Sequence, residues 1–112
     1  MSDHGLTPKH LAIIRATIMP FAASIERVGI FGSRATGVAK PNSDLDIVLY
    51  GRVNQETVNR IYTLFTVSYL PFTVDVQAYD LVKYPPLKQH IDDHMQLLFS
   101  REDLLKETNA TT

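Results

Sequence analysis

The sequence contains no cysteine among its 112 residues. This absence excludes disulfides, thiol catalysis and zinc–thiolate sites, and it fits a reducing compartment. The net charge of −1 gives no basic field over the chain, so direct nucleic-acid binding is not expected. The first residues do not show the basic run followed by an apolar run that is typical of a signal peptide. No apolar stretch approaches the roughly 20 residues of a membrane span. We therefore expect a cytoplasmic protein that does not bind membranes.

The composition that is present is ordinary for a globular protein, with 45% apolar and 21% charged residues. The length suits one domain, since domains cluster near about 100–150 residues. We expect a single domain over residues 1–112, with a flexible polar tail from about residue 106. A chain of this size leaves little surface for an acceptor pocket, so we expect a partner chain to supply one in a homo- or hetero-oligomer.

Hydrophobic periodicity predicts the order helix–strand–loop–strand–helix–strand–helix–strand. The first helix begins at Thr7–Pro8, Asn54 caps the second, and a third is expected near Leu87–His94. The expected strands are Val28–Phe31, residues 44–50, Phe72–Tyr79 and Met95–Phe99. The expected inner face of the second helix carries Val58, Ile61, Leu64, Phe65 and Ser68. This order predicts an α/β (α+β) fold, a small mixed β-sheet flanked by helices.

Asp44 and Asp46 are two residues apart in a predicted strand, so their side chains project from one face. Side-by-side carboxylates repel, and Mg²⁺, which prefers oxygen ligands, would relieve that repulsion. Asp75 lies in the middle of another predicted strand, where Asp is disfavoured. If the two strands pair, these carboxylates could hold two Mg²⁺ ions about 3.5–4 Å apart. An isolated Asp-x-Asp pair or strand Asp, in contrast, is more often simply solvated.

Gly32-Ser33 follows a predicted strand directly and precedes a turn-rich loop. Glycine allows a sharp turn and a close approach to a ligand, and the N–H groups and Ser hydroxyl of such a turn can face phosphate oxygens. Arg34 is expected to contact the nucleotide, and Lys40 is a further candidate phosphate partner. An ordinary turn is the alternative interpretation of an isolated Gly-Ser.

The Gly-Ser turn and the Asp-x-Asp pair together form a pattern that is more specific than either motif alone. Residues 31–37 are Phe-Gly-Ser-Arg-Ala-Thr-Gly, residues 42–46 are Asn-Ser-Asp-Leu-Asp, and ten residues separate Gly-Ser from Asp-x-Asp. Together with Asp75, this resembles the signature of the DNA-polymerase-beta-like nucleotidyltransferase superfamily, in particular its MNT-type minimal nucleotidyltransferases. The resemblance covers roughly residues 8–99 and implies a polymerase-beta-like nucleotidyltransferase fold.

The resemblance also implies roles for these residues. Asp44 and Asp46 would bind Mg²⁺, and Asp75 would complete the site as a further ligand and as the base for the acceptor hydroxyl. Gly32 and Ser33 would hold the β- and γ-phosphates of a nucleoside triphosphate, most simply ATP. The family transfers a nucleoside monophosphate to a hydroxyl and releases pyrophosphate, a reaction in which positioning and charge neutralisation dominate catalysis.

Many MNT proteins are paired with a helical HEPN-type protein, a toxic ribonuclease that some of them adenylylate on tyrosine. The resemblance therefore implies transfer of AMP to a partner protein by the MNT antitoxin of a HEPN/MNT-type toxin–antitoxin pair. One alternative is a non-catalytic binding module that neutralises a helical partner by complex formation. Another, a sugar-nucleotide transferase or similar Asp-x-Asp metal enzyme, does not account for Gly32-Ser33 at this spacing.

His90 and His94 are four residues apart, which could place both on one helix face. No Glu follows His90 as it does in His-Glu-x-x-His metalloproteases, and no further ligand is apparent. We interpret both histidines as polar residues on a solvated face.

Overall fold

The computed structural model describes residues 4–40 and 42–106 of the chain. The flexible tail is expected from about residue 106, and residues 107–112 of it lie outside the described residues. The helices are α1 (Pro8–Ile18), α2 (Ser33–Thr36), α3 (Gln55–Thr66), α4 (Pro85–His94) and α5 (Arg101–Leu105). The strands are β1 (Ile25–Phe31), β2 (Leu45–Gly51), β3 (Val74–Ala78) and β4 (Gln96–Ser100). Short 3-10 segments follow α1 and β3 at Met19–Ser24 and Tyr79–Leu81.

The four strands form one mixed sheet in the order β3-β2-β1-β4. β2 and β3 are parallel, and β1 is antiparallel to both β2 and β4. This arrangement confirms the predicted mixed sheet flanked by helices.

Strand alternation gives the sheet two faces with different coverings. One face carries the main core, in which Ile47 and its neighbours pack with residues of α1 and α3 such as Ile14 and Ile61. The other face carries a smaller cluster, in which Val48 and Ile91 are buried with Phe31, Tyr50 and Val82. Because Ile91 belongs to α4, this helix covers the second face, the one from which even-numbered residues of β2 project.

Local capping explains where the helices begin. The Thr7 hydroxyl accepts the His10 amide at the start of α1, and the Asn54 side chain accepts the Thr57 amide at the start of α3. α1 ends just before Pro20, which cannot donate a helical hydrogen bond.

The predicted inner face of α3 is only partly correct. Val58, Ile61 and Phe65 are buried, whereas Leu64 is 42% exposed. The buried stripe is therefore narrower than expected, and Leu64 lies at its edge beside α1 residues. No helix among the described residues is long and apolar enough to span a bilayer.

Candidate active site

The predicted carboxylates lie at one end of two neighbouring strands. Asp46 in β2 and Asp75 in β3 are register partners across the parallel pair, so both side chains leave the same face of the sheet. That face is the one covered by α4. Asp44 immediately precedes β2. Asp44 and Asp75 are exposed, whereas Asp46 is half-buried.

The proximity of these groups changes the acid–base chemistry of Asp46. Burial raises the pKa of the Asp46 carboxyl above its ordinary value, and the negative charges of Asp75 and Asp44 raise this pKa further. His90 acts in the opposite direction. The site therefore concentrates negative charge where ionisation is already disfavoured, an arrangement that a cation would stabilise.

The three carboxylates do not form a ready ligand shell. Over residues 4–40 and 42–106, no group of three or more His, Asp or Glu side chains is arranged to hold a metal ion. The hard oxygen donors and their mutual repulsion nevertheless fit a divalent cation in chemistry and charge. Asp44, Asp46 and Asp75 would have to reorient their side chains to share it.

The Gly-Ser turn lies directly against this carboxylate group. β1 ends at Phe31, and Gly32 then turns the chain with a φ of +76° into α2, which begins at Ser33. A Cβ at Gly32 would come within 2.2 Å of the Asp46 Oδ2 atom. The positive φ therefore favours glycine here, and any side chain at residue 32 would displace the Asp46 carboxylate.

His90 is a site residue that the sequence interpretation missed. The Gly32 amide donates a hydrogen bond to the His90 Nε2 atom at 3.1 Å, and the imidazole lies edge-on to Phe31 with ring centroids 6.2 Å apart. The prediction of a solvated His90 is wrong because α4 packs across the sheet and turns this residue toward the Gly-Ser turn. His94 is exposed as predicted, with its ring 4.8 Å from that of His90. The one sequence signal was the position of His90 next to Ile91, the buried residue of α4.

Arg34 has a different environment from the one expected of a phosphate ligand. Its side chain is 1% exposed. Its guanidinium donates to the His4 and Ser43 carbonyls, each at 2.9 Å, and lies 4.4 Å from the centre of the Phe72 ring. Because the cation is enclosed among protein groups, this burial argues against the expected direct contact with the nucleotide. Lys40 is exposed in the loop that precedes Asp44.

Comparison with known protein families identifies the family of this chain. The family model "Polymerase beta, Nucleotidyltransferase" matches residues 16–104. The chain belongs to this family. A search among curated proteins found no match.

Solved structures of nucleotidyltransferases and toxin–antitoxin pairs share the fold. One is a toxin–antitoxin with AMP-PNP, at 17% identity and a TM-score of 0.61, covering 77% of this chain and 73% of that one. A second is a mutant of the toxin–antitoxin MntA-HpeT, at 14% identity and a TM-score of 0.64, covering 80% of this chain and 72% of that one. A third, assigned as a nucleotidyltransferase from Sulfolobus solfataricus, has 21% identity and a TM-score of 0.51, covering 84% of this chain and 83% of that one. At these identities the likeness concerns the fold.

The family match confirms the predicted relationship to polymerase-beta-like proteins and the fold class. The chain is therefore a nucleotidyltransferase domain. Nucleotidyltransferases of this fold generally use divalent metals, in keeping with the carboxylate chemistry described above.

Proposed function

We propose that this polymerase-beta family member transfers AMP from ATP to a hydroxyl of a partner protein. The observation that carries the proposal is the register of Asp46 and Asp75 on one face of the sheet, with Gly32 in contact with the Asp46 carboxylate. In this proposal Gly32 and Ser33 bind the terminal phosphates. Asp44, Asp46 and Asp75 would hold two Mg²⁺ ions, which supply charge neutralisation on the phosphates when bound.

The transfer itself needs little covalent chemistry from the protein. The acceptor oxygen forms a bond to the α-phosphorus of ATP, and the bond from that phosphorus to the oxygen bridging the α- and β-phosphates breaks. Pyrophosphate leaves with the electron pair of that bond. Asp75, exposed on the site face, takes the proton of the acceptor hydroxyl. Gly32 and Ser33 contribute by holding the triphosphate in line with the acceptor.

The proposed partner is a helical HEPN-type toxin, with this chain as its MNT antitoxin. Two proteins that share the fold are toxin–antitoxin pairs, and one of these was solved with AMP-PNP. The sequence pattern of Gly32-Ser33 and Asp44-x-Asp46 supports the same assignment through its resemblance to MNT-type proteins.

The experiment combines the purified chain, α-labelled ATP, Mg²⁺ and the protein encoded by the neighbouring gene. We expect label on that partner, and a loss of at least about a hundredfold in the Asp44→Asn/Asp46→Asn double variant. Asp80→Asn is the matched control, because Asp80 is an exposed carboxylate in the 3-10 segment after β3. Undiminished labelling by the double variant would rule out the proposed site.

A second candidate function is neutralisation of a partner by binding alone. The observation that favours it is an apolar groove of about 420 Å³ between α1 and α3, lined in part by Leu64, Val67 and Tyr69. Val67 is 74% exposed and Tyr69 is 94% exposed. If the double carboxylate variant protects cells from the partner as well as the wild-type chain does, binding suffices and transfer is not the protective step.

A further inference from the structure

We propose that Arg34 is a positioning residue for the nucleotidyltransferase site. Its buried guanidinium sets the segments that precede Asp44 and Asp75 relative to the turn that carries Ser33, without touching the nucleotide. This inference deepens the proposed function and rests on it for the meaning of the site.

The first connection runs from α2 to the loop before β2. Arg34 directly follows Ser33 in α2, so the guanidinium belongs to the residue next to the Gly-Ser turn. The Arg34 Nη2 atom donates to the Ser43 carbonyl at 2.9 Å. Because Ser43 is the residue immediately before Asp44, this hydrogen bond fixes the backbone from which the first carboxylate projects.

The second connection runs from the same guanidinium to the start of β3. The Arg34 Cζ atom lies 4.4 Å from the centre of the Phe72 ring, a distance at which cation and ring attract. Thr73, the next residue, accepts the Leu45 amide at 2.9 Å. One buried cation therefore contacts both segments at the end of the β2–β3 pair that carries the carboxylates.

A third contact closes the other side of the guanidinium. The Arg34 Nη1 atom donates to the His4 carbonyl at 2.9 Å, and a Cβ at Gly5 would come within 3.0 Å of this same Nη1 atom. His4 and Gly5 therefore cover this side of the cation.

These contacts require the shape of arginine as well as its charge. The planar guanidinium donates in two directions while its face lies against an aromatic ring, whereas a lysine ammonium is a point charge without that plane. Arg34→Lys should therefore keep the charge yet fail to hold Ser43 and Phe72 in their present relation.

The test compares Arg34→Lys with Arg101→Lys, measuring amide hydrogen exchange and the affinity for Mn²⁺ used in place of Mg²⁺. Arg101 is a matched control because its guanidinium also caps carbonyls, donating to Ile25 at 2.8 Å and to Ala22 at 3.2 Å, away from the carboxylates. We expect Arg34→Lys to speed exchange at residues 43–46 and 72–75 and to weaken Mn²⁺ binding, each by about tenfold or more. Arg101→Lys should leave both quantities within about twofold of wild type.

The inference fails if Arg34→Lys folds and both quantities stay within about twofold of wild type. It also fails if exchange rises evenly over the whole chain while Mn²⁺ affinity is kept, since that is the result of a purely structural role. Should Arg34→Lys not fold, Phe72→Leu removes only the ring beneath the guanidinium. Faster exchange at residues 43–46 in Phe72→Leu supports the inference, and unchanged exchange there overturns it.

Failure of the proposed function would be seen in the wild-type chain, and it can be distinguished from failure of the Arg34 inference. A wild-type chain that neither binds Mn²⁺ nor labels its partner would contradict the proposed chemistry. The exchange measurement on Arg34→Lys would still decide whether this residue positions the two segments, because it requires neither metal nor transfer.

Discussion

Asp46 and Asp75 are register partners in the parallel strands β2 and β3, and the charge of Asp75 helps to raise the pKa of the Asp46 carboxyl. Burial is the larger cause of this shift, and Asp44 adds to it. The folded state therefore binds a proton at Asp46 more tightly than the unfolded state does. It follows that the stability of the protein without bound metal declines as pH rises from the ordinary value of 3.8 through the higher folded-state pKa.

The first prediction is that Asp46→Asn stabilises the metal-free protein near neutral pH. The substitution removes an ionised group that is half-buried beside two like charges, so we expect the free energy of unfolding to rise by roughly 0.5–2 kcal/mol. Urea denaturation from acid to neutral pH measures both this gain and the predicted loss of pH dependence. Asp80→Asn is the control, and a less stable Asp46→Asn with an unaltered pH dependence would contradict the electrostatic account.

The second prediction concerns Gly32, for which Gly37, a second glycine of positive φ, is the control. Both glycines have positive φ, +76° and +81°, but a Cβ at Gly37 would meet nothing within 4 Å. Gly37→Ala should lose about 1–2 kcal/mol of stability, because Gly37 has a left-handed helical backbone with ψ of 12°. Gly32→Ala should lose more, up to about 3 kcal/mol, because ψ at Gly32 is −153°, a conformation that essentially only glycine adopts. Only Gly32→Ala should also push the Asp46 carboxylate away and lower the transfer rate, by about a hundredfold.

Equal activities of these two alanine variants, measured below their melting temperatures, would show that contact between residue 32 and Asp46 does not matter for transfer. Thermal unfolding of the same samples measures the loss of stability in each variant, so that it can be separated from the effect on the transfer rate.

The third prediction is that His90→Ala loosens the Gly-Ser turn whereas His94→Ala does not. His90→Ala removes the acceptor of the Gly32 amide hydrogen bond and should cost about 0.5–1.5 kcal/mol. NMR-detected exchange of the Gly32 amide should become faster in this variant. His94 is exposed and none of the described hydrogen bonds uses its side chain, so an equal acceleration in His94→Ala would point to a general loosening of α4.

The fourth prediction separates stability from activity. Asn54→Ala removes the side-chain acceptor of the Thr57 amide, 2.8 Å away at the start of α3, and should cost about 0.5–2 kcal/mol. Because α3 packs on the face of the sheet opposite to Asp46, we expect AMP transfer at temperatures below the melting transition to be unchanged. Chemical denaturation and partner labelling measure the two quantities, and a parallel loss of both would show that the faces are coupled.

Local signals in the sequence predicted much of the fold because they act over a few residues. Thr7 and Asn54 identified the starts of α1 and α3, and alternation identified the strand of Asp46. Strand bounds were less accurate: β1 extends back to Ile25, and β3 is shorter than Phe72–Tyr79. Strand ends depend on pairing with neighbours, which periodicity along one segment does not report.

The sequence by itself determined the composition of the candidate site: a glycine turn, a Ser hydroxyl, and carboxylates with the alternation that places them on one face. Only the tertiary structure decided which partners these groups have. Pairing of β2 with β3 brings Asp75 beside Asp46, packing of α4 turns His90 toward Gly32, and burial encloses Arg34 among carbonyls and a ring. The reason is physical: spacing along a chain fixes the direction of a side chain, whereas desolvation and long-range contacts depend on segments distant in sequence.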